Sequence, residues 1–271
     1  GDTFNTAWYI ANNHSDINSA YFSKLGDDEL SDKMLEFMLD NRIDTTHVKK
    51  VSGSTIGLYL ISLVNGERTF SYWRNNSAAT LLGQNINDVE NALKKQDMIY
   101  FSGITLAILD TSSRNNLFAC LKLARRAGKK IAFDPNLRPR LWSDKKEMCD
   151  VIMAGANLSD IILPSFEDEA TWFSDANPKA TLKRYQKVGA EIVVVKNAGE
   201  PVSFISNQGI GTYPVQSIET VIDSTAAGDS FNSEILVGIL RNIPLSEAIS
   251  NGANLAKKVI MGHGALIKSD I

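Results

Sequence analysis

Asp223-Ser224-Thr225-Ala226-Ala227-Gly228-Asp229-Ser230-Phe231-Asn232 sets small residues between two aspartates and runs at once into apolar positions at helical spacing, Phe231, Ile235, Leu236 and Ile239. Ala-Ala-Gly permits a tight turn and a close approach to the backbone. The helix that begins there leaves its first N–H groups without helical partners and carries partial positive charge at that end. The turn therefore suits an anion. Asp229 is the awkward member, because a carboxylate beside such a hole repels the anion. It is either an N-cap, as aspartate often is, or a group with chemistry to perform. These ten residues leave both readings open.

The surrounding chain narrows the classes. It has 271 residues, 44% of them hydrophobic, enough for one large α/β unit over 1–271 and too apolar for disorder. A net charge of −3 argues against a nucleic-acid partner, although a pocket on such a surface can still be locally basic. Cys120 and Cys149 give no disulfide framework. With no membrane-length apolar run and no signal-like start, a cytoplasmic protein without a membrane partner is expected. His14, His47 and His263 lack the spacing of a zinc motif, and no P-loop is present. Gly262-His263-Gly264 lacks the third glycine of a dinucleotide fingerprint.

From about residue 87 the pattern alternates. Helix 88–95 leads to strand 98–101, and helix 113–127 stops at Gly128 before strand 130–134. A helix after Ser143, strand 161–163, a helix from Glu167 and a helix opened by Asn177-Pro178 follow. The β-branched run 191–196 reads as a central parallel strand. Short strands at 202–205 and 211–214 precede the opening turn, and helices 230–241 and 245–259 end the pattern. Upstream, Asp2 or Thr3 caps a helix to about Asn13 that carries Phe4, Ala7, Trp8 and Ile10. Strand 20–25 and a helix with Leu30, Met34, Phe37 and Met38 come next. Such alternation implies a mainly parallel sheet covered on both faces, with ligands at the carboxyl ends of the strands. Residues 134–138 and 196–199 lie just past such ends.

The stretch 47–75 is different, and reads as a protruding β-hairpin. Asn65-Gly66 between two β-rich runs is a strong hairpin signal. Counting back from that turn sets Tyr59 opposite Tyr72 and Gly57 opposite Arg74, so Tyr59, Tyr72 and Arg74 share one side of the ribbon. They are either an ordinary cross-strand pair with a surface arginine or a clamp for a carboxylate, since a guanidinium offers parallel donors.

Together these motifs resemble the ribokinase-like carbohydrate kinases, and within that family the kinases of 2-keto-3-deoxygluconate. The carriers are residues 1–7, 55–60, 70–74, 102–104, 134–138 and 223–232, the last being the family signature. The resemblance implies a three-layer α/β sandwich with a mainly parallel central sheet and a small β lid. It implies transfer of a phosphoryl group from ATP to the terminal hydroxyl of the keto-deoxy sugar acid. Asp229 would be the base, and the amides of Ala226, Ala227 and Gly228 the anion hole. Gly1, Asp2, Asn5, Tyr59, Tyr72, Arg74, Ile104 and Arg138 would bind substrate with Asp229. Lys196, Gly199, Thr225, Ala227, Gly228, Asn254 and Gly264 would meet the nucleotide.

Magnesium is expected with ATP, a monovalent cation is compatible, and Asp223 and Asp168 are candidate metal-linked residues. Ser165 stands where the family usually has asparagine. The family's leading strand is not in these residues, so a longer natural protein is expected. Leu58, Leu60 and Trp73, on the other face of the ribbon, suggest a homo-oligomer, dimer or higher, through the lid. Alternatives are a kinase of the same fold for ribose, fructose or a related sugar acid, and a non-catalytic sugar-acid-binding relative.

Overall fold

The structure, a computed structural model, describes residues 1–64, 67–74, 76–216 and 221–268, and the side chains of these apart from 59–72. In chain order the elements are α1 (Asp2–Asn13), β1 (Ser23–Leu25), α2 (Glu29–Asp40), β2 (Val48–Lys50), β3 (Leu58–Val64), β4 (Glu67–Trp73), α3 (Ile86–Leu93), β5 (Met98–Ser102), α4 (Gly103–Ile108) and α5 (Thr111–Arg126). Then follow β6 (Lys130–Asp134), α6 (Lys145–Asn157), β7 (Ile161–Ile162), α7 (Phe166–Phe173), α8 (Pro178–Lys187), β8 (Ile192–Val195), β9 (Val202–Ser206), β10 (Gly209–Tyr213), α9 (Ala227–Leu240) and α10 (Leu245–Ile260).

The central sheet runs β10-β9-β8-β7-β6-β5. Its β5, β6, β7 and β8 are parallel, whereas β9 is antiparallel to both β8 and β10. The β8 stretch is an inner strand, as its β-branched run suggests, parallel to β7 and antiparallel to β9. The 202–213 hairpin returns directly beside it instead of crossing over a helix.

Strand alternation divides the side chains between two apolar layers. Ile99, Phe101, Ile131, Phe133, Ile162, Val193 and Val195 join the cluster that includes Leu117, Leu121, Ile152 and Leu182 from α5, α6 and α8. Ala132, Ile161, Leu163 and Val194 face the opposite way, onto Phe231, Ile235, Leu236, Ala248 and Ile249 of α9 and α10. This is the three-layer arrangement the resemblance implies.

Two further sheets stand apart, parallel β1-β2 and antiparallel β3-β4. In the second, Tyr59 pairs with Tyr72 and Val64 with Glu67, the register counted from the sequence. The Asn65-Gly66 turn itself lies outside the described residues. Helix α4 was not expected, because Ser102-Gly103 reads as the end of a strand. Ser102 caps it instead, its hydroxyl accepting from the Thr105 N–H at 3.3 Å. In α2, Met38 is buried but Leu30 and Phe37 are 45% and 40% exposed, so the helix rests on α1 along a narrower stripe than its spacing suggests. No helix among the described residues is long and apolar enough to cross a membrane.

One buried polar cluster anchors α7 to α8. Glu169, fully buried, accepts from Tyr185 Oη at 3.0 Å and from Arg184 Nη2 at 2.5 Å, and Arg184 also bonds Asp175. The guanidinium lies 4.0 Å over the Phe173 ring. Arg184→Ala leaves the Glu169 carboxylate buried without its cation and is expected to cost about 3–5 kcal/mol, read by chemical denaturation. A loss below about 1 kcal/mol would show the pair to be dispensable.

Candidate active site

Helix α9 opens on Ala226, whose φ of 63° is left-handed, with no side chain capping the helix. Asp229 is the third residue of that helix, so the N-cap reading of this aspartate does not hold. Its side chain is committed across the chain: Asn5 Nδ2 donates to Asp229 Oδ2 at 2.8 Å. Thr6 Oγ1 donates to the Asp229 carbonyl at 3.1 Å. Both partners come from α1, where Gly1 rather than Asp2 or Thr3 is the cap and Asn5 and Thr6 are buried against α9. Burial raises the Asp229 carboxyl to about 7; the neighbouring Asp2 and Asp134 charges add to the rise and the Asn5 hydrogen bond opposes it.

The turn before the helix is tied by Asp223, whose Oδ1 accepts from the Thr225 N–H at 2.9 Å and Oδ2 from the Gly264 N–H at 3.1 Å. The Ala227 N–H closes a turn onto the Ser224 carbonyl at 3.3 Å. That bond is long, and it leaves the Ala226 and Gly228 amides as the better placed donors of the expected hole.

Strand parity assembles a second part of the site. Tyr100 in the middle of β5, Asp134 at the end of β6 and Lys196 just past β8 fall on the α9 side of the sheet, like Ala132 and Val194. Lys196 Nζ donates to Asp134 Oδ2 at 3.1 Å, to the Leu163 carbonyl at 2.7 Å and to Asn232 Oδ1 at 3.0 Å. Asn232 Nδ2 donates to Asp134 Oδ2 at 2.7 Å and to Tyr100 Oη at 3.1 Å. An ammonium has three donors, so Lys196 already spends all of them within the protein. The resemblance places this lysine among the nucleotide-binding residues; here its donors end on protein acceptors. Its Nζ lies 3.9 Å from where a Cβ on Gly228 would be, next to the turn.

The loop after β6 joins the two parts. The Asn136 N–H donates to Asp134 Oδ1 at 3.1 Å, and Asn136 Nδ2 to Asp2 Oδ2 at 2.7 Å. Gly103 allows this loop its position, since a Cβ there would stand 1.8 Å from the Pro135 carbonyl oxygen. A cavity of about 330 Å³ lies beside the site, bordered by Gly1, Asp2, Thr6, Tyr100 and Ile104.

The remaining expected residues are spread more widely. Arg138 donates to the Leu137 carbonyl and faces Asp168 Oδ2 at 3.8 Å. Burial pushes the Asp168 carboxyl up to about 6, against the pull of Arg138. Asp168 and Asp223 therefore serve different partners, and no group of three or more His, Cys, Asp or Glu side chains among the described residues is set to hold a metal. Gly199 sits in an exposed loop past β8, and Asn254 is exposed on α10. Gly264 has a φ of 90° and reaches the turn through Asp223. Arg74 follows β4, and a Cβ on Gly57 would lie 3.0 Å from its Cβ, which supports the counted opposition. The Tyr59 and Tyr72 side chains lie outside the described residues.

Tyr100, Asn232, Asn136 and Thr6 were not singled out from the sequence. Strand parity was the available signal, because Tyr100 and Asp134 share a face with the helix that carries Asn232 three positions after Asp229.

Comparison with known proteins gives this geometry a family. The 2-dehydro-3-deoxygluconokinase of Haemophilus influenzae is 38% identical, over 98% of this chain and 87% of that protein. A solved 2-dehydro-3-deoxygluconokinase from Thermotoga maritima superposes with a TM-score of 0.85 at 21% identity, covering 98% of this chain and 86% of the other. A putative ribokinase II from E. coli in complex with ATP and Mg2+ superposes with a TM-score of 0.83 at 19% identity, covering 97% and 82%. The profile of the pfkB family of carbohydrate kinases matches residues 1–271, and the chain belongs to that family.

Proposed function

We propose that this kinase transfers the γ-phosphoryl group of ATP to the terminal hydroxyl of 2-keto-3-deoxygluconate, giving 2-keto-3-deoxy-6-phosphogluconate. The observation that carries this reading is the position of Asp229, a carboxylate raised to about 7 within the anion-binding turn of α9. Asp229 accepts the hydroxyl proton as the oxygen forms its bond to the γ-phosphorus and ADP leaves. The amides of Ala226 and Gly228, with Ala227 between them, take up the charge on the transferred group without reorganising. Gly1, Asp2, Asn5 and Ile104 meet the sugar, while Arg74 with Tyr59 and Tyr72 holds its carboxylate. Arg138 closes the substrate end. Thr225, Gly199, Asn254 and Gly264 meet the nucleotide.

Among the described residues the carboxylates near the turn are already paired, Asp134 with Lys196 and Asp223 with backbone amides. That donor set suits a magnesium ion carried mainly by phosphates and water rather than a protein cage. When bound, the ion offsets charge on the phosphates. The opposed Leu58 and Trp73, 40% and 61% exposed, mark the face of the β3-β4 lid that a second subunit would cover.

The reaction is tested by incubating the protein with ATP, Mg2+ and the sugar acid and locating the phosphoryl group by phosphorus–carbon coupling in the NMR spectrum. Phosphate on the terminal carbon supports the reading, and phosphate elsewhere or none contradicts it. The pH dependence follows from the same carboxyl. A protonated Asp229 cannot accept a proton, so kcat/KM should rise with pH through about 7 and then level. A profile flat from pH 5.5 to 8 would remove Asp229 as the base.

A further inference from the structure

Among the described residues, the network Tyr100–Asn232–Asp134–Lys196 is a buried polar assembly next to the site to which the proposed reaction assigns no step. Asn232 and Asp134 are 0% and 4% exposed, and every polar atom of the Asn232 side chain is engaged. Burying an amide, a phenol, a carboxylate and an ammonium costs free energy unless the geometry is kept, so a packing role alone is better served by apolar residues. The network also has a direction. One end, Tyr100, borders the cavity shared with Asp2 and Ile104. The other end, Lys196 Nζ, stands 3.9 Å from the Cβ position of Gly228 in the phosphate-facing turn.

We propose that Lys196 is a positioning residue whose fixed charge, oriented by Asn232 and Asp134, supports the adjacent Ala226–Gly228 turn and neutralises Asp134 beside Asp229. It acts through the turn and does not hydrogen-bond the nucleotide. The inference rests on Asp229 being the base. Three features of the geometry support it. All three Lys196 donors end on protein acceptors, leaving none for a phosphate oxygen. The carboxylates that gather here are Asp2, Asp134 and Asp229, and Lys196 is the cation bonded among them. Asn232 meets both members of the pair, its oxygen turned to the ammonium and its nitrogen to the carboxylate, an arrangement that a reversed amide would break.

The groups bearing on Asp229 come from several elements: Asp2, Asn5 and Tyr9 from α1, Tyr100 from β5 and Asp134 from β6, and it is Asp134 that Lys196, after β8, pairs. Removing the lysine charge leaves Asp134 uncompensated, and an uncompensated anion makes Asp229 harder to ionise. Lys196→Met should therefore lower kcat by about 10- to 100-fold, the loss seen when the hydrogen-bonding partners that orient metal ligands are removed. It should also move the acid limb of kcat/KM to higher pH. The double substitution Lys196→Met with Asp134→Asn should return the limb toward lower pH.

The experiment measures kcat, KM for ATP and the pH profile of the full chain for both variants, with Asp229→Asn alongside. Lys196→Gln, which keeps a donor for Asp134, replaces Lys196→Met if the latter does not fold, with the same expected limb shift. A rise in KM for ATP with kcat and the limb unchanged would make Lys196 a direct nucleotide ligand and overturn the proposal. A fall in Tm with kcat unchanged at 25 °C would do the same, by reducing the network to packing. Full activity of Asp229→Asn would instead refute the underlying assignment of the base, which is separable from either result.

Discussion

Asp229→Asn should still bind the sugar acid while kcat falls by about 10²–10⁴-fold, the usual contribution of a positioned general base. The substitution keeps the shape of the side chain and an oxygen able to accept from Asn5 Nδ2, so the contact between α1 and α9 survives. What it removes is the acceptor for the hydroxyl proton. The same change should make the protein more stable, because Asp229 ionises in a buried setting next to Asp2 and Asp134. Its carboxyl is raised from 3.8 to about 7, so the folded state holds the proton more tightly than the unfolded chain. The penalty for ionising grows as pH rises from the lower value to the higher and is complete above it. At pH 8 the variant should melt about 2–4 °C higher than the parent, the shift that about 1 kcal/mol gives in a domain of this size. At pH 4 the two should melt together. Retained kcat, or a lower Tm at pH 8, would contradict the assignment of a functionally strained carboxylate.

Arg74→Ala is expected to raise KM for the sugar acid roughly 10- to 150-fold, the equivalent of about 1.5–3 kcal/mol for a hydrogen bond to a charged group. KM for ATP should change little, since the arginine stands beyond β4 on the lid side, opposite Gly57, and the nucleotide turn lies at the start of α9. Steady-state kinetics with each substrate varied in turn separates the two. An equal rise in both constants would point to a general disturbance of the lid. No change in either would return Arg74 to the ordinary surface role that its sequence context left open.

The hairpin register was legible because a two-residue turn and a period of two leave little freedom, and Tyr59 does pair with Tyr72. The parallel order of β5 to β8 was legible for a similar reason, since strand–helix alternation admits few topologies. Local sequence could not show that β9 turns back against β8, because a buried β-branched strand looks alike with parallel or antiparallel neighbours. Nor could it show α4, where Ser102 is both the end of a strand and the cap of a six-residue helix.

At the site, the Ala226–Gly228 turn and Asp229 stood out because their residue types are in tension with each other. The bond between Asn5 and Asp229 joins residues 224 positions apart and comes only with the packing of α1 on α9. Lys196 illustrates the limit of reading by position. It is near the turn as the resemblance implied, yet its donors are consumed by Asp134, Asn232 and the Leu163 carbonyl, which a sequence does not display.

The central claim is a single pocket that joins a proton-accepting anion turn to a carboxylate-recognising lid. It is tested most directly by kcat/KM in an ADP-release assay for 2-keto-3-deoxygluconate against fructose and ribose, at one ATP and Mg2+ concentration. The keto-deoxy acid should be preferred by about 10-fold or more, because only it offers the carboxylate that Arg74 is placed to pair. Equal or faster turnover of fructose or ribose would contradict it.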